Sequence, residues 1–139
     1  MLSGFAPLSR GRQVAVVLGL VYAVGGTVGF AVSGLDGFAA TRGDRLIIFE
    51  VNPLQNLIHL ALGWLLVNAG AAGEATGRRA SMAAAAILLV LGMAGLLVFP
   101  ARPEMNLINA NRAVAIGQLI SALLALTALA SSRHPTPGG

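Results

Sequence analysis

Four stretches of about twenty mostly apolar residues dominate this sequence: residues 14–32, 53–72, 80–99 and 110–130. A bilayer core about 30 Å thick is crossed by about 20 residues of helix, so each stretch is long enough to span. The first and third carry no charge, and the fourth carries only Arg112 near its start. Backbone polar groups in hydrocarbon must be satisfied within the segment, which selects helices. A small β-barrel would need strands of alternating character, and these runs are apolar on every face. Only 10% of the 139 residues are charged and 56% are hydrophobic. A soluble chain of this size would have too little polar surface to cover that apolar mass. The connections, 34–52, 73–79 and 100–109, are short enough to make consecutive helices antiparallel neighbours. The predicted fold is therefore an all-α membrane protein, a single four-helix transmembrane domain over 1–139 with an exposed C-terminal tail at 131–139.

Without cysteine the chain has neither a disulfide scaffold nor a thiolate metal site. Arg10 and Arg12 before an apolar run, with Ala31-Val32-Ser33 after it, imitate a secretory signal, but the run is long for one and is read as a span. Orientation rests on arginine placement. Arg10, Arg12, Arg78, Arg79 and Arg133 fall on one side, and Arg42, Arg45, Arg102 and Arg112 on the other. The second group shares its side with Asp36, Asp44, Glu50 and Glu104, which tilts the reading toward both termini in the cytoplasm, at the inner (plasma) membrane. No nucleic-acid partner is expected.

Close helix approach in a membrane relies on small residues at four-residue spacing. Ala113, Gly117, Ser121 and Ala125 form such a seam on the fourth helix, and Gly25, Gly29 and Ser33 on the first. The spacing predicts intramolecular packing, with an oligomer or complex interface as the other use. Trp64 and Tyr22 sit deep in their spans and are expected in the core. Leu46-Ile47-Ile48-Phe49 is expected at the membrane interface or over the mouth of the bundle.

The second span opens Asn52-Pro53, a capping residue followed by the one position where proline fits a helix. Asn52, Gln55, Asn56 and His59 then share one face. A polar residue at that depth normally faces the bundle interior. The fourth span offers partners in Asn111, Arg112 and Gln118, and Glu50 or Glu104 could neutralise Arg112. An internal polar cluster near the outer leaflet is predicted: Gln55, Asn56 and His59 against Asn111, Arg112 and Gln118. Its first use is interhelical hydrogen bonding. Other uses are a site for a quinone or lipid, a proton path, or a haem or metal ligand at His59. The last would need Met82 or Met93 as partner, where methionine is usually filler. No metal and no cofactor are assigned.

The segment Asn52-Pro53-Leu54-Gln55-Asn56-Leu57-Ile58-His59-Leu60-Ala61-Leu62-Gly63 resembles the hallmark of a family of small four-span membrane proteins of actinobacteria, a domain of unknown function. Asn109-Ala110-Asn111-Arg112-Ala113-Val114-Ala115 resembles that family's weaker echo at the fourth helix. The echo tends to carry a second histidine that this chain lacks. The resemblance implies the four-span layout and no particular activity. The favoured function is a non-enzymatic accessory or scaffold subunit of a larger membrane complex. The alternatives are a binding module for an apolar ligand at the polar cluster and a small transporter.

Overall fold

The computed structural model describes residues 8–131, with the backbone alone at 128 and 131. The predicted tail, with Arg133 and His134, lies outside the described residues. Among the described residues there are four helices: α1 Arg10–Ser33, α2 Pro53–Ala72, α3 Glu74–Leu97 and α4 Arg112–Ser131. A two-stranded hairpin, β1 Asp44–Leu46 and β2 Phe49–Val51, stands between α1 and α2, and a short 3-10 turn, Pro103–Met105, between α3 and α4. Two of the helices, α1 and α3, are long and apolar enough to cross a membrane. The described apolar part of α4, Arg112–Thr127, is shorter. In α2 the amides and imidazole of Gln55, Asn56, His59 and Asn68 dilute an otherwise apolar helix.

Helix ends follow local chemistry rather than hydropathy. The Ser9 side chain caps α1, which therefore begins at Arg10 rather than at residue 14. Asn52 caps α2 in extended backbone, with Pro53 in the first turn. Gly73 alone joins α2 to α3, and its φ of +144° suits a residue without a Cβ. The third helix starts at Glu74 rather than at residue 80, because Glu74, Arg78 and Arg79 extend as a polar helical turn past the apolar stretch. The α1–α2–α3 end is tied by Arg12, which donates from Nε to the Gly70 carbonyl (2.7 Å) and from a terminal nitrogen to Ala71 (3.1 Å). Ser9 bonds Glu74 at the same end. These contacts satisfy carbonyls that the α2 C-terminus leaves open.

Inside, the residues are small. Ala15, Ala84, Ala85, Ala122 and Ala125 pack with Leu18, Leu62, Leu66 and Leu88 into one core drawn from all four helices. Large apolar side chains point outward instead, such as Val17, Val21 and Val24 on α1, Val90 on α3 and Leu123 on α4. Helices α1 and α2 meet through glycine and run in opposite directions. A Cβ built on Gly19 would lie 2.8 Å from the Gly63 carbonyl oxygen, and one on Gly26 would lie 2.7 Å from that of Asn56. Toward α4, α3 uses Gly92 and Gly95 against Ala115 and Leu119.

The predicted packing seams are only partly the observed ones. Gly29 is buried against the Asn56 side chain and Ala125 is buried in the core. Gly25 and Gly117, however, face open space, with no described atom within 4 Å of an added Cβ. Ala113 and Ser121 are half-buried. Small residues surround α4, so their spacing marks several faces, and Ala115 and Ala122 are buried as completely as Ala125. Trp64 corrects the sequence reading more sharply: it is 70% exposed on the outer face of α2, whereas Tyr22 is buried as expected.

These contrasts give a direct test. Gly63→Val overfills the α1–α2 contact and is expected to destabilise the protein by about 1–3 kcal/mol. Gly117→Ala meets open space and is expected to be neutral or to stabilise by about 0.5–1 kcal/mol. Thermal unfolding of the two variants in one detergent measures both.

Candidate functional site

Buried amides join the two loops at the α1–β-hairpin–α2 end to the helices below them. The Asn52 Oδ1 accepts from the Gln55 backbone N–H (2.8 Å), while its Nδ2 donates to the Ala40 and Leu107 carbonyls, each at 2.8 Å. One side chain thus caps a helix and holds both loops. With its nitrogen turned to the loops, Gln55 donates to the Glu50 carbonyl (3.1 Å) and to that of Ile108. In the same sense Asn109 donates to the Thr41 carbonyl and accepts from the Gly43 N–H, both at 2.9 Å. Asn109 has a φ of +49°, a conformation asparagine tolerates better than most residues. Asn111 caps α4 by accepting from the Val114 N–H (3.0 Å) and donates from Nδ2 to the Ile48 carbonyl (2.8 Å), which tethers the hairpin. Asn56 turns to α1 and donates to Ser33 Oγ (2.9 Å).

The predicted cluster therefore divides. Asn111 is spent on the hairpin, and Asn56 donates to α1 while its Oδ1 stays buried without a partner. Arg112 is exposed and stands outside the cluster, and its proposed neutralisers are engaged elsewhere: Glu50 pairs with Arg45 and Glu104 with Arg102, each at 3.6 Å. The physical reason is that a helix's first residues lie at its rim, where a guanidinium reaches water without desolvation. Gln55, His59 and Gln118 are the predicted residues that come together, and they do so around a cavity.

The cavity has a volume of about 210 Å³. Gln55 and His59 from α2 form its back. Tyr22 and Gly25 of α1 face Gly117, Gln118 and Ser121 of α4 across it, and Leu46, Phe49 and Val51 of the hairpin roof it. Gln118 is only 3% exposed, and its Oε1 has no hydrogen-bond partner. The His59 Nε2 is likewise buried without a partner. Its ring meets Tyr22 edge to face, centroids 5.0 Å apart at 84°. The Ser121 hydroxyl donates to the Gly117 carbonyl (2.9 Å). Among the described residues that line the cavity, none is an acid or an arginine. A chamber of this kind can bind and orient a molecule.

Sequence reasoning placed Tyr22 in the core and Ser121 in a packing seam, and both also line the cavity. The available signal was periodic: Val114, Gly117, Gln118 and Ser121 share one α4 face. The contribution of Leu46 and Phe49 depends on the hairpin register, Leu46 opposite Phe49, which the apolar run alone does not disclose. At the tip, Ile47 adopts a φ of +60° and is 82% exposed, a position usually filled by glycine or asparagine.

Removing the weld should be costly. Asn52→Ala loses a cap and strands two carbonyls, and is expected to destabilise by about 3 kcal/mol. Asn52→Asp keeps the capping acceptor but loses both donors, and should fall between the alanine variant and the natural protein. Denaturation midpoints together with protease sensitivity of the 34–52 and 100–111 loops report the order.

No curated protein and no solved structure matches the chain. A family model described as a domain of unknown function (DUF4383) matches residues 12–131. That match takes in α1 from Arg12 onward, the other three helices, the hairpin and the cavity, and by it the chain belongs to the DUF4383 family.

Proposed function

We propose that this chain is a four-span antiparallel bundle of the plasma membrane, with both termini cytoplasmic, that serves as a non-catalytic binding module for an apolar molecule with a polar head. The single observation that carries the reading is the pair of unpartnered buried atoms, His59 Nε2 and Gln118 Oε1, at the wall of one cavity. An unsatisfied buried polar group costs about 1–3 kcal/mol, and a ligand that pairs with both recovers it. The outward-facing valines, leucines and Trp64 support hydrocarbon as the surrounding solvent, since large exposed apolar surfaces are rare on soluble monomers. A subunit interface could use the same apolar faces, but lipid covers them equally well, and nothing about them selects a protein partner. Transport gains no support from the core of Leu62, Leu66 and Leu88, which packs tightly one and two turns beyond His59.

Gln118→Leu separates a ligand site from structural glue. As glue, Gln118 would stabilise the fold and its loss would lower the melting temperature. As a ligand contact, its replacement leaves the apo protein as stable or up to about 1–2 kcal/mol more stable, because an unpaired buried oxygen is removed. Native mass spectrometry of the full chain released from membranes in mild detergent is expected to show a bound small molecule. That adduct should be depleted in Gln118→Leu and His59→Leu. A lowered melting temperature with no adduct in the natural protein would refute the reading.

A further inference from the structure

We infer that the cavity takes the uncharged ring head of a membrane-dissolved lipid, a quinone or its hydroquinone, which enters sideways from the bilayer through the slot between Gly25 and Gly117. The inference rests on the binding-module reading and specifies its ligand class and route.

The route follows from the two glycines. Neither packs against anything described: a Cβ on either would meet open space. Both line the cavity, one from α1 and one from α4, helices that touch far less than the α1–α2 and α3–α4 pairs do. Val21 lines the same edge and is 59% exposed, so the slot opens onto the apolar flank of the protein. Above, the hairpin covers the chamber with Leu46, Phe49 and Val51 and is held to α4 by the Asn111–Ile48 bond. A molecule dissolved among lipid tails reaches the slot directly, and its tail stays in the bilayer while its head lies inside.

Size and charge select the head. An apolar cavity on the order of 150 Å³ accommodates a benzene ring. At about 210 Å³ this one has room for a ring bearing oxygen substituents, but not for a two-chain glycerolipid. The described lining carries no arginine, so a phosphate would be desolvated without a counter-charge. Tyr22, His59 and Phe49 provide aromatic walls against which a flat ring packs by face or edge.

Both redox forms of such a head find partners. The Gln118 Oε1 has no partner, and rotation of the amide presents either its oxygen or its NH2 group. A hydroquinone offers O–H groups and the corresponding quinone carbonyl oxygens, so either form is matched. His59 accepts a hydroxyl at Nε2 or donates to an oxygen in the same way.

The test uses the full chain in phosphatidylcholine nanodiscs and one radiolabelled decyl-benzoquinone, titrated oxidised and, under anaerobic reduction, as the quinol. The natural protein is expected to bind both forms. Gln118→Leu should bind each of them at least about tenfold more weakly. Gly25→Leu and Gly117→Leu should bind neither while remaining folded, because a Cβ at either position meets open space. No binding of either form overturns the inference. If both forms fail but Gly117→Leu strips another uncharged lipid that co-purifies with the natural protein, the binding-module reading stands and only this ligand assignment falls. If Gly117→Leu, folded, still binds the quinol as the natural protein does, the slot is not the route and this inference falls.

Discussion

A polar group shut away from water must find a partner or cost the fold about 1–3 kcal/mol, and this small protein buries several amides. Asn52 satisfies that constraint most completely, with one acceptor on the α2 N-terminus and two donors on separate loops. Gln55, Asn109 and Asn111 complete the same joint. The hairpin, the 3-10 turn and the starts of α2 and α4 are thereby fixed in one arrangement. The cavity exists because this joint holds the hairpin over the gap between α1 and α4.

Below the joint the architecture depends on side-chain size. Alanines and glycines let the backbones approach, and the larger residues are turned outward, the reverse of a water-soluble core. Where both facing positions are glycine, as at Gly19 and Gly63, the helices touch. Where a glycine has no partner across the gap, as at Gly25 and Gly117, the same economy of side chain leaves a slot. One residue type thus serves contact on one face and access on another, and the difference lies in which helix stands opposite.

Much of this was legible in the sequence. Hydropathy located the helices, Asn52-Pro53 marked the α2 start to the residue, and the Gln55–His59 stripe pointed inward. Helix ends at Arg10 and Glu74 are less legible, because hydropathy marks the apolar stretch and capping marks the helix. Arg112 was misplaced because its position on the helix face was readable but its nearness to the rim was decisive. Gly25 and Gly117 were read as contacts, since four-residue spacing is silent about what faces it. The hairpin was read only as an apolar run, since its register and its Asn111 tether are long-range. The division of the amides between joint and cavity follows from those same contacts.

Four buried side-chain atoms lack a partner among the described residues, and the central claim is that the two on cavity-lining residues, His59 Nε2 and Gln118 Oε1, serve a ligand. It is tested most directly by an experimental density map of the full chain purified within its native lipids. The account predicts a flat density within hydrogen-bond distance of Gln118 Oε1 and His59 Nε2, continuing outward between Gly25 and Gly117. A map in which those two side chains bond protein groups, with α1 and α4 closed against each other, would contradict it.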